Sequence, residues 1–264
     1  MKHLNQFITE YIVKKKLDKP IDSEDHYDYY PKSKKELIEN IKELLNNKIY
    51  DFNCIDTSEI TDMSYLFDDI NINRNFDVSK WDVSNVENMS HMFYGYSKFE
   101  GKGLENWNVG NVTNMSYMFY YCENFDCDLS KWDVHNVKTM EYMFTWCDNF
   151  VGKGLENWDV GNVKDMTSMF ANCGNFKGKG LENWNTRKVT DMQYMFWECS
   201  SFNGKSIENW DVSNVKNISY MFSYCKSLNC NLNNWNVSKV KKNSGVFQGT
   251  RGIKNKTNWY KTLK

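Results

Sequence analysis

The sequence predicts a repeat solenoid of the α+β class, in which short units stack along one axis instead of folding around one central core. A block of the form W-[D/N]-[V/T]-x-x-V-x-x-M-x-x-M-F-x-x-C recurs along most of the 264 residues, at spacings of 25 or 26. A fixed period of that size indicates stacked supersecondary units. Both prolines precede the array, so no proline interrupts it. The copies open at Trp81, Trp107, Trp132, Trp158, Trp184, Trp210 and Trp235.

Each copy divides into two halves with different periodicity. In V-x-x-M-x-x-M-F the apolar residues fall at i, i+3, i+6 and i+7, which predicts a short helix or 3-10 segment with one buried face. The W-x-V half alternates between apolar and polar residues, which predicts a short strand. One short strand and one short helical segment in about 26 residues is the scale of a leucine-rich-repeat coil. The sequence therefore predicts seven or eight coils whose strands lie parallel.

Three regions follow from this pattern. Residues 1–50 predict an N-terminal two-helix cap, whose first helix carries Leu4, Phe7 and Tyr11 on one face and whose second opens at a Ser33–Glu36 capping box. A separate binding module is the alternative for this region. Residues 51–250 hold the seven to eight repeats of 25 or 26 residues, and residues 251–264 are predicted to be a polar C-terminal tail or cap.

Bulk composition excludes several classes of protein. Lysine and arginine number 33 against 34 acidic residues, and this balance argues against direct nucleic-acid binding, which needs a basic face. No apolar run approaches the length of about 20 residues that a membrane span requires. The first residues run into Lys14 without an apolar segment, so we expect no signal peptide and a cytoplasmic monomer, with surface or virion association as the alternative.

No catalytic or metal-binding set emerges from the remaining chemistry. Five cysteines, Cys122, Cys147, Cys173, Cys199 and Cys225, share a column that Ile70 and Tyr96 fill in other copies, which predicts buried, reduced thiols. The sequence has neither zinc-type cysteine spacing nor a catalytic signature, so we predict no enzyme activity, no cofactor and no metal. The aspartates and asparagines that follow the tryptophans are predicted to form side-chain turns rather than a calcium ladder.

Aromatic residues between the buried positions are the candidate binding site. A helical segment that buries Val, Met and Phe leaves these residues outside, where tyrosine and tryptophan supply contact area for a protein partner. The alternative is that they cover neighbouring copies and shield the core. The predicted partner-binding residues are Tyr94, Tyr117, Tyr120, Tyr121, Tyr142, Trp146, Tyr194, Trp197, Tyr220 and Tyr224.

The repeat text resembles the BspA-like leucine-rich-repeat family, which includes 26-residue-repeat surface proteins of low-GC bacteria and mycoplasmas. The segments that carry the resemblance are WDVSNVENMSHMF, WNVGNVTNMSYMFYYC and WDVSNVKNISYMFSYC, within Cys54 to Phe247. The resemblance implies a leucine-rich-repeat-like, right-handed coil and a non-enzymatic protein-protein interaction role, often adhesion. Without a leader, such a protein would fit a phage or mobile-element factor that targets a host or defence protein. A surface adhesin or virion-associated structural protein is the alternative.

Overall fold

Parallel backbone pairing joins each copy of the repeat to the next. A computed structural model describes residues 27–250 and 257–263. In these residues the pairing consists of isolated parallel bridges between equivalent positions, one period apart. The bridges do not extend into continuous strands. The bridges link Asp62, Asn88, Asn114, Thr139, Asp165, Asp191, Asn217 and Lys242 in order. Two further bridges, Asp51 to Asp77 and Tyr29 to Ile55, extend the pairing towards the N-terminus.

The segment that the sequence predicts as a short helix is a series of overlapping turns. The backbone N–H of Tyr117 donates to Glu141 of the next coil at 2.8 Å, whereas that of Met118 returns to Met115 of its own coil at 3.3 Å. The following residues alternate in the same way. A helix would use these N–H groups for its own i to i−4 bonds and leave none for the next coil. The α-helical alternative is therefore wrong, whereas the inward face is correct and some of the i to i−3 bonds expected of a 3-10 segment are present.

Left-handed backbone at one or two positions of each copy is what prevents the helix. The first position has φ between 53° and 59° at Tyr65, His91, Tyr117, Tyr142, Ser168, Tyr194 and Tyr220. The second has φ between 57° and 63° at Tyr121, Trp146, Asn172, Glu198 and Tyr224. This conformation costs an L-residue roughly 1–2 kcal/mol, so stacking must compensate for it in every copy.

The predicted W-x-V strand is also absent, although its alternation is present. Trp107 and Val109 are buried and Asn108 between them is exposed. No backbone bridge forms there; instead the indole N–H of Trp132 donates to the carbonyl of Leu104 in the preceding coil at 2.8 Å. The same bond recurs from Trp81, Trp107, Trp158, Trp184, Trp210 and Trp235. Side chains thus join the coils on this side.

The tryptophan ladder continues into the region predicted to be a polar tail. Trp259 is buried, its ring lies 6.2 Å from that of Trp235 at an angle of 2°, and its indole N–H donates to Leu232 at 2.6 Å. This copy is not recognisable in the sequence, because its tryptophan follows the previous one after 24 residues, not 25 or 26, and lysines surround it. The described part of the tail therefore closes the end of the stack with a ladder residue.

Phenylalanine rings fill the centre of the stack. Phe119 stacks on Phe93 at 5.6 Å and on Phe144 at 5.7 Å, and the pattern continues to Phe247. A second column packs against the first, as Phe125 does against Phe119 at 4.0 Å. The valine and methionine columns complete one apolar core.

The column cysteines are buried free thiols, as predicted. Each also donates a hydrogen bond to the phenylalanine carbonyl of the preceding coil, as Cys147 does to Phe119 at 3.0 Å. The Tyr96 hydroxyl occupies the same column and donates to Phe67 at 2.8 Å. A shared donor role explains why both cysteine and tyrosine occur in this column. Burial raises the pKa of Cys199 to about 12.

Because the thiolate is the reactive form, we expect the five column cysteines to resist a thiol reagent in the native protein. Labelling followed by mass spectrometry should show them modified only as fast as the chain unfolds. Half-buried Cys54 is the internal comparison. Rapid native modification of Cys173 would contradict the burial described above.

Helix α1 spans Lys34–Asn46, where the capping pattern predicts a helix. The N–H of Glu36 donates to the Ser33 hydroxyl at 3.3 Å, while the Glu36 carboxylate accepts from the backbone N–H of Lys32 at 2.7 Å. Its buried residues join the core of the repeats, and Lys34 donates to Asp62 at 2.6 Å. The first predicted helix lies outside the described residues.

Short 3-10 helices form the opposite corner of some coils, at Leu104–Asn106, Leu155–Asn157 and Lys205–Ile207, and a last one spans Asn258–Lys261. Gly154 precedes one of them with φ 87°, and a Cβ there would clash with the backbone nitrogen of Ser130. The corner therefore requires glycine. Within the described ranges, no helix combines the length and apolar character needed to cross a bilayer.

Candidate binding surface

The ten predicted binding residues come from three columns of the turn segment. We call these ten residues, together with two more that the prediction omitted, the aromatic face. The first column contains Tyr65, His91, Tyr117, Tyr142, Tyr194 and Tyr220. The second column contains Tyr94, Tyr120 and Trp197. The third column contains Tyr121, Trp146 and Tyr224. Tyr65 and His91 are the two additions, and their left-handed φ values place them in the first column.

Rings of the first column stack from coil to coil. His91 lies 4.2 Å from Tyr65 and 4.4 Å from Tyr117, and Tyr142 lies 4.5 Å from Tyr117, with interplanar angles of 11° to 13°. Except for Tyr65 these rings are half-buried. For this column the shielding alternative therefore has direct support, because each ring covers its neighbour.

The second and third columns expose more of their surface. Tyr94 stacks on Tyr120 at 4.8 Å, and Tyr121 lies 6.1 Å from Trp146. Tyr94, Tyr121, Trp146 and Tyr224 are 41%, 42%, 37% and 40% exposed. With Tyr65, they make up five of the eight large exposed hydrophobic residues in the described chain. Exposed apolar area is concentrated on this face, as expected for a contact surface.

One coil interrupts the aromatic face. Ser168, Ala171 and Asn172 fill the three columns there, and all three are buried. The structure therefore separates the predicted residues into two groups, one from Tyr94 to Trp146 and one from Tyr194 to Tyr224. The prediction treated the ten residues as a single set.

Burial affects the titration of two phenols of the aromatic face, Tyr117 and Tyr120. It raises the pKa of Tyr117, with the nearby Glu141 carboxylate adding to the effect. Burial also raises the pKa of Tyr120, assisted by Tyr94. Neutral phenols can donate and accept hydrogen bonds while their rings provide apolar contact.

His91 lies inside the stack, between the rings of Tyr65 and Tyr117. Its Nδ1 is buried and has no hydrogen-bond partner among the described residues. Burial lowers the pKa of His91, and the Asp68 carboxylate only partly opposes this. The ring contacts with Tyr65 and Tyr117 show that His91 takes the place of a tyrosine in the stack.

The lowered pKa of His91 predicts a pH-dependent stability. Its ordinary pKa of 6.5 applies in the unfolded chain, so protonation below that pH favours unfolding. We expect the contribution of His91 to stability to be constant above about pH 6.5 and to fall as the pH drops through that value. Denaturation of the wild type and of His91→Tyr at pH 5 and pH 8 should show a smaller loss in the variant. An equal loss in both would contradict this role.

Side-chain turns form at the aspartates and asparagines that follow the repeat tryptophans. The Asp133 carboxylate accepts the backbone N–H of His135 at 3.2 Å, and Asp82 and Asp211 bond the chain two residues on at 2.9 Å. The prediction of turn-forming side chains is confirmed. In the part of the chain that the structure describes, no three histidine, cysteine or acidic side chains are arranged to hold a metal ion.

The repeats also identify the family. Residues 33–153, 61–179 and 144–260 each match the family described as Mycoplasma protein of unknown function, DUF285. This chain belongs to the DUF285 family. Three overlapping matches support a repeat protein, and the matched residues include all of α1. No curated protein and no solved structure matches the chain.

Proposed function

We propose that this DUF285 protein is a non-enzymatic scaffold that binds a partner protein through its aromatic face. The stacked parallel coils support the view that it is a solenoid of the BspA-like, leucine-rich-repeat type. The observation that carries the functional proposal is the exposure of Tyr94, Tyr121 and Trp146 side by side on adjoining coils. Large, rigid aromatic side chains of this kind dominate the binding energy of protein interfaces.

Backbone strain adds a second argument. Tyr121 and Trp146 adopt left-handed φ values of 61° and 63°, at a position that Gly95 fills in the preceding coil. Glycine would remove the strain and expose less apolar surface. Aromatic residues at such positions are costly for folding alone, and a binding role accounts for their retention. Half-buried rings of the first column would form the rigid floor of the contact.

Site-specific photo-cross-linking in the source cells tests this proposal. Trp146 is replaced by benzoylphenylalanine in one protein and Val151 in another, since Val151 is 40% exposed and lies outside the aromatic face. We expect a discrete protein adduct from position 146 and none from position 151. No adduct at 146, or the same adduct at both positions, would reject the aromatic face as the binding surface.

A further inference from the structure

A second surface feature lies in the C-terminal half of the stack, before the bridge column of each coil. It is an open groove of about 780 Å³ lined by five cations, Lys164, Arg187, Lys188, Lys216 and Lys239. We call it the basic groove. The rest of its lining is neutral and polar: Gly161, Asn185, Thr190 and Asn214. Neither a carboxylate nor an aromatic ring lines it.

The cations are distributed over four consecutive coils. Lys164 comes from one coil, Arg187 and Lys188 from the next, and Lys216 and Lys239 from the following two. All five side chains are exposed. At a strand spacing of about 4.8 Å, this arrangement extends the positive charge over roughly 14 Å along the stack.

Neutral groups rather than carboxylates hold two of these cations, Lys188 and Lys239. In the part of the chain that the structure describes, none of the five forms an ion pair. The ammonium of Lys188 donates to the side-chain oxygen of Asn162 at 2.6 Å, and that of Lys239 donates to Asn214 at 2.6 Å. Both asparagines also bond the backbone of the preceding coil. An amide oxygen fixes an ammonium without cancelling its charge, so the groove stays positive.

The pKa of the Asp211 carboxylate is lowered in part by two cations of the basic groove. Hydrogen bonds from Ser213 lower its pKa, and the charges of Arg187 and Lys239 lower it further. Its Oδ1 accepts the backbone N–H of Ser213 at 2.9 Å. Asp211 thus offsets part of the field of Arg187 and Lys239.

The equivalent positions in the first four copies carry less positive charge. The column of Lys164 and Lys216 holds Thr61, Glu87, Thr113 and Lys138 there, and the column of Lys188 and Lys239 holds Glu59, Asn85, Asn111 and Asn136. The formal net charge of the chain is only −1. Positive charge is therefore concentrated at one end of this face, while the rest of the molecule balances it.

We propose that the basic groove binds an acidic, extended segment of a partner protein. Carboxylates of such a segment would meet the five cations, and Asn185 and Thr190 could hydrogen-bond its backbone. A single-stranded nucleic acid fits less well, because such sites combine positive charge with aromatic rings that stack on bases, and this groove has none. This surface is distinct from the aromatic face, and the two can be tested independently.

Fluorescence anisotropy with a labelled oligoglutamate peptide tests the groove in the full-length protein. We expect saturable binding that weakens as the salt concentration rises from about 0.1 M to about 1 M, because the screening length falls from about 10 Å to about 3 Å. The variant Lys164→Gln, Lys188→Gln, Lys216→Gln should bind about tenfold more weakly, since each exposed ion pair contributes a few-fold.

A matched control carries the same charge change elsewhere: Lys102→Gln, Lys179→Gln, Lys205→Gln, all at exposed corners of the coils. It should bind the peptide like the wild type. Equal loss in both variants would show a non-specific charge effect and overturn the proposal. Tighter binding of an oligonucleotide of the same charge would overturn the assigned partner class, and absence of peptide binding would reject the site.

Discussion

Replacing Phe144 with alanine should lower the free energy of unfolding by about 3–5 kcal/mol, the cost usual for a buried phenylalanine. Its ring is fully buried and stacks between Phe119 at 5.7 Å and Phe170 at 5.8 Å. It also contacts Phe150 at 4.2 Å. A cavity here removes contacts on both sides, and no other packing can replace them because the rigid coil spacing prevents collapse.

The effect should depend on position, because each coil contacts only its neighbours. Phe144 lies in the middle of the array, so its loss should uncouple the two halves and broaden or split the denaturation transition. Urea denaturation followed by circular dichroism and tryptophan fluorescence measures both effects. Phe144→Leu, which retains apolar volume, should cost less than about 1.5 kcal/mol. A cost below about 1 kcal/mol for alanine would contradict the stack.

Replacing Tyr121 and Trp146 together with asparagine should weaken partner binding by about a thousandfold without loss of stability. Interface tyrosine and tryptophan residues of this kind contribute about 2 kcal/mol each, and about 1.4 kcal/mol corresponds to a tenfold change in affinity. Asparagine is the appropriate replacement because Asn172 occupies the same column at φ 57°. It tolerates left-handed backbone better than an aromatic residue, so the folded coil should be unchanged or slightly more stable.

Calorimetry with the partner identified by cross-linking at position 146 measures the affinity, and thermal denaturation measures the stability. The control variant Ile49→Asn, Val151→Asn removes exposed apolar surface away from the aromatic face, where these residues are 38% and 40% exposed. It should bind normally. If both variants lose affinity equally, general surface hydrophobicity rather than the aromatic face is responsible.

Much of the interior follows from the sequence because burial repeats with the period. The columns of Trp107, Val112, Met115 and Phe119 are buried as their spacing indicates, and Cys122 with its equivalents is a reduced core residue. Asparagine and aspartate turns follow equally well, because the side-chain bond joins residues only two positions apart. These turns depend on residues of one copy alone, so the sequence of one copy suffices to predict them.

Two backbone predictions were wrong, namely the W-x-V strand and the helix over the segment from Val112 to Phe119. A helix and a series of i to i−3 turns both direct Val112, Met115 and Phe119 inward, so periodicity cannot distinguish them. The choice depends on where each N–H group points, and half of them point to the next coil. Tyrosines with left-handed backbone direct these N–H groups to the next coil. A positive φ cannot be predicted from a tyrosine, because tyrosine rarely adopts one.

The sequence by itself determined the repeat, its period, the residues that fill the core and the columns from which a binding surface could arise. Only the tertiary structure decided which aromatic side chains stack, which are exposed, where the aromatic face is interrupted, and that Trp259 closes the ladder. It alone brought Lys164, Lys188 and Lys216 into one groove. The reason is distance along the chain: these contacts join residues about 25 positions apart, and their geometry exists only once the coils are laid side by side.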